Sequence, residues 1–387
     1  MEKTKISKIL MEEEEQGARC VEYCSKCLMP DSRPRIFFDE NGVCSACNFA
    51  MNRGSIDWSA RQNELLSILE PFRSTTGDYD CVVPWSGGKD SSVVAWRLKH
   101  EFGMNPLLVT ASPMMPSEEG YHNREAMIQA GFDHLYFRPD QNVQRKLAKR
   151  FFVERGNPKV AWNASINIPM RIAVNFNIRL VFYAEHGESY YGGKMLRKDS
   201  NKIRDFTEAV EHQIEDDPRN WVDEVITIND LQPYIYPGME EISRVGITAY
   251  FLGYFIKWSS YENYKFIKNK IDFRNCSKGR SCGTFIAWDS IDDKIDDLYF
   301  YMQYIKFGFG RAVRDASRQI QNGHISREEG LELAKKYDDE FPHEYFDEVL
   351  KYLDITDKEF HEIVDKHRNP EIWEKEDGVF KLRYPLI

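Results

Sequence analysis

The run Ser86-Gly87-Gly88-Lys89-Asp90-Ser91-Ser92 has the composition of a site that holds a polyphosphate. Two adjacent glycines let the main chain turn sharply and approach a ligand closely. The N–H groups that open a following helix attract an anion. Ser86, Ser91 and Ser92 add hydroxyl donors and Lys89 adds positive charge, while Asp90 is suited to hold a Mg2+ ion bridging phosphates. The string is neither the Gly-x-x-x-x-Gly-Lys-Ser/Thr loop of enzymes that cleave at the γ-phosphate nor the Gly-x-Gly-x-x-Gly dinucleotide fingerprint. A second constellation is Cys24-x2-Cys27 with Cys44-x2-Cys47, sixteen residues apart, the spacing of two knuckles closing on one zinc ion. With all four positions filled by protein, such an ion is structural; an iron–sulfur cluster or unligated thiols are the alternatives. Between the pairs, Arg35 to Phe38 reads as a short strand reversed by a turn at Asp39 to Gly42.

Three further groups are candidates for substrate or magnesium. Glu185 and Glu188 follow an apolar run that ends at Ala184, and Lys194 follows Gly192-Gly193. Carboxylates there would bind magnesium or position an amine and Lys194 would meet phosphate, or the stretch is an ordinary polar loop. Arg311, Arg314 and Arg318 recur at i, i+3 and i+7 on one helical face, as a clamp for an anion or as a solvated basic face. Cys276 and Cys282 flank a polar loop as two thiols without a joint role, a redox pair or a cover over substrate, whereas Cys81 reads as core and Cys20 as free.

Positioning these groups falls to an alternation of strands and helices. Strands are expected at Tyr79 to Pro84, Leu107 to Ala111, His134 to Phe137 and Arg179 to Ala184. Helices are expected at Trp58 to Phe72, Ser91 to Phe102, Gly120 to Ala130, Asn142 to Arg155 and Pro169 to Phe176. This is the pattern of an α/β, doubly wound parallel sheet, whose ligands sit at the carboxyl ends of the strands. The chain beyond residue 205 reads as mainly helical, with an apolar stripe from Ile291 to Ile320 and a kink at Gly308 and Gly310. The expected organisation is a charged tail (1–19), a zinc-binding module built on four cysteines (20–60), a nucleotide domain (61–205) and a mainly helical substrate or partner region (206–387). Hydrophobic residues at 42% and charged residues at 29% describe a folded, globular chain rather than a disordered one. A net charge of −10 argues against a partner held mainly through phosphate neutralisation, so nucleic acid is not the expected partner. No stretch reaches the roughly 18 apolar residues of a membrane span, and Met1 to Gln16 lacks the apolar core of a signal peptide. The expectation is a cytoplasmic protein with reduced thiols and no membrane partner.

The loop from Ser86 to Ser91 resembles the pyrophosphate-binding (PP) loop of the N-type ATP pyrophosphatases, which cleave ATP to AMP and pyrophosphate. Taken with the cysteine module, the resemblance narrows. The runs Tyr23 to Pro34, Phe38 to Cys47 and Val83 to Ser91, then Asp292-Asp-Lys-Ile-Asp296, Tyr304 to Arg311 and Asp315-Ala-Ser317, are similar to the N-acetyl sugar amidotransferases of bacterial surface-polysaccharide and flagellar-glycan biosynthesis. The similarity extends from about residue 20 to about 367. It implies an adenine nucleotide alpha hydrolase-like (PP-loop) fold, with ATP, Mg2+ and structural Zn2+ as cofactors. The reaction it implies replaces the acetamido oxygen of a nucleotide-activated N-acetyl sugar by ammonia, giving an acetamidino sugar. Lys89 and Asp90 would then act on ATP. The chain carries no evident glutaminase nucleophile, so a separate glutaminase subunit and an ammonia-conducting barrel subunit are implied as partners. A tRNA-thiolating PP-loop enzyme, with Cys276 and Cys282 as sulfur carriers, is the alternative.

Overall fold

The computed structural model describes residues 20–165, 167–193, 201–204 and 216–386. Lys194 lies outside them. Helix α1 (Ser45–Asn52) closes the cysteine module, and α2 (Trp58–Leu69) leads into the sheet. There follow β1 (Cys81–Pro84), α3 (Lys89–His100), β2 (Pro106–Ala111), α4 (Glu118–Gln129), β3 (Asp133–Phe137), α5 (Gln141–Arg155), α6 (Val160–Ser165), α7 (Ile168–Asn175), β4 (Leu180–Tyr183) and α8 (Gly187–Tyr191). A further unit, α9 (Met239–Val245), β5 (Thr248–Phe251), α10 (Leu252–Phe255) and α11 (Ser260–Lys268), returns to the same sheet.

All five strands are parallel, in the order β3-β2-β1-β4-β5. The interior strands β1 and β4 read as near-continuous apolar runs because helices cover both faces. Cys81, Val83, Leu180 and Phe182 pack on one side with Val93, Val94 and Leu98 of α3 and Phe255 of α10. Val82 and Val181 pack on the other with Ile168, Met170 and Ala173 of α7. Cys81 is wholly buried, as its place in a strand suggested. Strand β5 was not foreseen. Its four residues are flanked by Gly246 and a short helix, too brief for a two-residue periodicity to show.

The remaining elements are α12 (Asp296–Phe307), α13 (Arg311–Gln321), α14 (Arg327–Tyr337), α15 (Phe346–Leu353), α16 (Asp357–Lys366) and an antiparallel hairpin, β6 (Trp373–Glu376) with β7 (Val379–Leu382). The expected kink between residues 291 and 320 is a full break. Gly308 takes the left-handed conformation at φ +74°, which ends α12, and Gly310 precedes α13. Asp338 accepts from the N–H groups of Gly310 (2.6 Å) and Val313 (2.7 Å), capping α13 from a distant part of the chain.

Buried polar contacts tie this region to the sheet. Asp293 accepts from the N–H groups of Met114 (2.8 Å) and Met115 (2.9 Å), just beyond β2, and Lys159 pairs with Asp296 in the interior. The cysteine module docks on the same helices. Leu28 N–H donates to Ser317 Oγ (3.3 Å), Arg327 Nε to the Cys27 carbonyl (3.2 Å) and Ser32 Oγ to the Phe307 carbonyl (2.7 Å). The strand expected at Arg35 to Phe38 is absent: Arg35 sits at φ +66°, outside the extended region, and a single bridge joins Phe38 to Cys44. Among the described residues no helix is long and apolar enough to cross a membrane.

Candidate active site

The strand order reverses between β1 and β4, which opens a crevice at their carboxyl ends. The loop Ser86 to Gly88 fills the β1 end of that crevice and runs straight into α3. Gly87 has φ +97°, and a Cβ there would lie 2.9 Å from Arg124 Cγ, so glycine is required twice over. The loop's shape is held by its own side chains. Gly88 N–H donates to Ser86 Oγ (3.1 Å), Ser91 Oγ to the Gly88 carbonyl (3.3 Å) and Trp85 Nε1 to Ser92 Oγ (2.8 Å). Arg124 Nη1 reaches the Ser86 carbonyl at 3.2 Å.

Lys89 is nearly buried at 3% exposure, with its ammonium between Asp289 and Asp90 (3.0 Å to Oδ2) and above the Trp288 ring. Burial alone would lower the Lys89 pKa; Asp289 and Asp90 outweigh it and hold the ammonium above its ordinary value. Burial would likewise raise Asp289, but Lys89, Arg314 and Arg318 hold it below the usual carboxylate range. Asp90 also accepts from Asn263 Nδ2 at 2.8 Å. At the β4 end, burial and the charge of Asp90 raise the Glu185 carboxyl to about 7, although Tyr191 donates a hydrogen bond to it. The loop thus meets two carboxylates, Asp90 and Glu185, the second poised near neutrality. Asp289, Asn263 and Trp288 were not legible as site residues. They lie some 170 to 200 positions from the loop and carry no local motif.

From Asp289 the charged groups continue into a cavity of about 360 Å³. Arg314 Nη2 lies 3.0 Å from Asp289 and 2.9 Å from Asp315, and its guanidinium lines the cavity with Arg318, Arg33, Arg35 and Lys306. Arg318 stacks on the Tyr191 ring at 3.6 Å. Glu188 lies in this cavity, 3.9 Å from Arg33 and 3.8 Å from Arg35. Arg311 corrects the expectation of a substrate clamp. Its side chain is fully buried, donates to the carbonyls of Asp289 and Ser290 (3.3 Å) and faces Asp297 at 3.5 Å, so it fixes the segment that carries Asp289. A second cavity of about 750 Å³ lies on the other flank of the loop, lined among others by Ser117, Tyr121, Arg124, His134 and Tyr136.

The four cysteines of the N-terminal module converge in the core. Cys24 Sγ lies 3.8 Å from Cys47 Sγ and Cys27 Sγ 3.7 Å from Cys44 Sγ. A tetrahedral ion with bonds of about 2.3 Å to sulfur has edges of about 3.8 Å. All four ligand atoms fall within 4.8 Å of one another, which leaves room for a single ion and not for a multi-iron cluster. Cys276 and Cys282 have no such partnership: Cys276 donates to the Arg280 carbonyl (3.0 Å) and Cys282 to that of Phe341 (3.4 Å). Burial pushes both thiols above their ordinary value.

Residues 258–385, about a third of the chain, match the family described as LPS biosynthesis protein WbpG-like, C-terminal domain. An uncharacterized protein of Methanocaldococcus jannaschii, MJ1599, is 28% identical over 101 residues. The match covers 26% of this chain and 36% of that protein, so the chain spans only about a third of the relative's length. Among solved structures, NMN synthetase from Francisella tularensis aligns with 55% of this chain and 87% of its own at 14% identity and a TM-score of 0.27.

Proposed function

We propose that this protein is an ATP-dependent, AMP-forming amidotransferase. In this reading it adenylates the acetamido oxygen of a nucleotide-activated N-acetyl sugar and lets ammonia displace AMP, for surface-glycan biosynthesis. The observation that carries the reading is the glycine loop at the strand-order reversal, with Asp90 and Glu185 beside it and a basic cavity joined to it through Asp289 and Arg314. The WbpG-like match supports a role in lipopolysaccharide biosynthesis, and hence an acceptor linked to a sugar.

An amide carbonyl is a poor electrophile with a poor leaving group. Attack of its oxygen on the α-phosphate forms an O-adenylated imidate and breaks the bond to pyrophosphate. Nitrogen attack then expels AMP and leaves an amidine. The loop N–H groups and the hydroxyls of Ser86, Ser91 and Ser92 would receive the departing pyrophosphate, with Lys89 passing from Asp289 to its oxygens. Magnesium bound by Asp90 would offset the phosphate charge. Glu185 would accept a proton from the attacking nitrogen, since its carboxyl titrates near neutral pH. The larger cavity beside Arg124 adjoins the loop and has room for the nucleoside of ATP. The cysteine quartet would hold structural zinc. Ammonia would come from a separate glutaminase subunit through a barrel subunit, all acting in the cytoplasm.

The test is release of AMP and pyrophosphate by the purified protein with ATP, Mg2+ and ammonium chloride, against UDP- and CMP-linked N-acetyl sugars and, separately, bulk tRNA. AMP release that requires one sugar, with a product in which NH replaces oxygen, is expected. Release that requires tRNA would overturn the reading in favour of thiolation.

A further inference from the structure

We infer that Asp289 is a positioning residue that competes with phosphate for Lys89: it holds the lysine while the glycine loop is empty, yields it to pyrophosphate oxygens, and takes it back as pyrophosphate leaves. The inference deepens the reading above and rests on it for the identity of the leaving group, but the competition itself is measurable without any acceptor.

Lys89 is the one cation between Ser86 and Ser92, and it opens α3, where the N–H groups of the helix start attract an anion. Its side chain is 3% exposed. Three groups enclose the ammonium: Asp289 pairs with it, Asp90 Oδ2 lies at 3.0 Å, and the Trp288 ring centroid lies at 5.0 Å. A loop with the composition to hold a polyphosphate thus keeps its cation shut away between carboxylates.

How each group is anchored decides which of them moves. The Asp289 carbonyl accepts from Arg311 Nη2, and the Ser290 carbonyl accepts from the same nitrogen at 3.3 Å. Asp289 Oδ2 lies 3.0 Å from Arg314 Nη2, which is itself tied to Asp315 at 2.9 Å. Trp288 stacks on Tyr264 of α11, with centroids 5.0 Å apart and planes 8° apart. Asp90 Oδ1 accepts from Asn263 Nδ2 at 2.8 Å. Asp289 is therefore fixed through both main chain and side chain, whereas lysine is a point charge on a flexible four-carbon stem. Lys89 is the member free to change partners.

The exchange is reversible because neither side is stranded. When Lys89 turns to phosphate, Asp289 keeps Arg314 and the nearby charge of Arg318, so no carboxylate is left buried and unpaired. No covalent bond is involved; one ion pair replaces another. Ligands that carry the pyrophosphate group must displace Asp289 to reach Lys89. AMP, whose phosphate lies on the other side of the bond that breaks, does not compete for that position. Asp289 therefore opposes ATP and pyrophosphate but not AMP, and it favours release of pyrophosphate once the bond to the α-phosphate is broken.

The experiment is calorimetric titration of pyrophosphate, α,β-methylene-ATP and AMP, each with Mg2+, into the full chain and its variants. Asp289→Asn removes the competing charge at nearly constant shape, so pyrophosphate and α,β-methylene-ATP are expected to bind about tenfold tighter. AMP affinity should stay within about twofold of the parent. Asp289→Ser, which leaves room for water beside Arg314, should act in the same direction and serves if the asparagine variant melts early. In a Lys89→Met background the substitution at Asp289 should change pyrophosphate affinity by less than about twofold, because both residues act on one contact. Pyrophosphate affinity at or below the parental value in the folded Asp289 variants would overturn the inference. So would a tightening that persists with Lys89→Met or extends equally to AMP, since either marks through-space repulsion. If the titrations run as expected but no acceptor drives AMP release, the exchange at Lys89 stands and the amidotransferase reading falls. If sugar-dependent AMP release occurs but pyrophosphate inhibits Asp289→Asn no more strongly than the parent, the exchange falls and the reaction stands.

Discussion

Burial and the charge of Asp90 move the Glu185 carboxyl from its usual 4.5 to about 7, and that displacement has consequences for both stability and rate. In the folded chain Glu185 keeps its proton through a range where the unfolded chain has lost it. The contribution of this group to stability is therefore full below about 4.5, declines as pH rises toward about 7, and is constant above. Glu185→Gln removes the titration. Its melting temperature relative to the parent should rise steadily between pH 4.5 and 7 and then level off, as thermal melts across that range will read. A difference that does not vary with pH would refute the shift. The same variant should keep pyrophosphate release while slowing the nitrogen step. Asp90 has the opposite assignment. Asp90→Asn preserves the Asn263 contact sterically but removes the carboxylate proposed to hold magnesium, so AMP formation should fall by about a hundredfold or more with little change in melting temperature. Near-parental turnover would remove Asp90 from the chemistry.

Individual elements are held at the site by carboxylates that the sequence displayed without explaining. In Asp292-Asp-Lys-Ile-Asp296, Asp293 receives the N–H groups of Met114 and Met115, and Asp296 receives Lys159. The motif pins the chain after β2 to the start of α12. Asp293→Ala would strand two buried donors, a loss of about 2–4 kcal/mol, seen as a lower denaturation midpoint at unchanged slope. Parental stability would mean water replaces the carboxylate. Asp315 and Ser317 act similarly: one receives Thr284 and Arg314, the other Leu28 of the cysteine module. Elements legible in advance were those whose pattern is local. Strands β1 to β4 show as short apolar runs between glycine-marked turns, and the glycine loop announces itself by composition. The misreadings were non-local. β5 owes its place to pairing with β4 rather than to its own four residues, and Arg35 was drawn into a strand because no residue type signals a forced left-handed conformation.

At the scale of the molecule, the cysteine module does more than stabilise its own forty residues. Its cysteines share one apolar cluster with Phe309, which precedes α13, with Val313 of α13 and with Ala334 of α14. It carries Arg33 and Arg35 to the cavity, while Ser45 and Ala46 pack against Gly192 just beyond α8. The convergence of the four cysteines was legible from their spacing, but the position of the module over the site was not, because contacts such as Leu28 to Ser317 join residues nearly three hundred positions apart. The glycine loop, by contrast, rests on a sheet core that contains no residue of the module. Removing the metal should therefore separate two functions of the chain. Cys44→Ser, or treatment with a strong chelator, is expected to release one zinc ion per chain by mass spectrometry and to slow sugar-dependent AMP release by about tenfold or more. Binding of α,β-methylene-ATP should be retained, because the loop, Asp90 and α3 keep their supports. Metal-free protein that releases AMP at the parental rate would show that the module is a bystander to the cavity. Loss of α,β-methylene-ATP binding together with AMP release would show instead that module and sheet fold as one cooperative unit, and the separation argued from the two core clusters would fail.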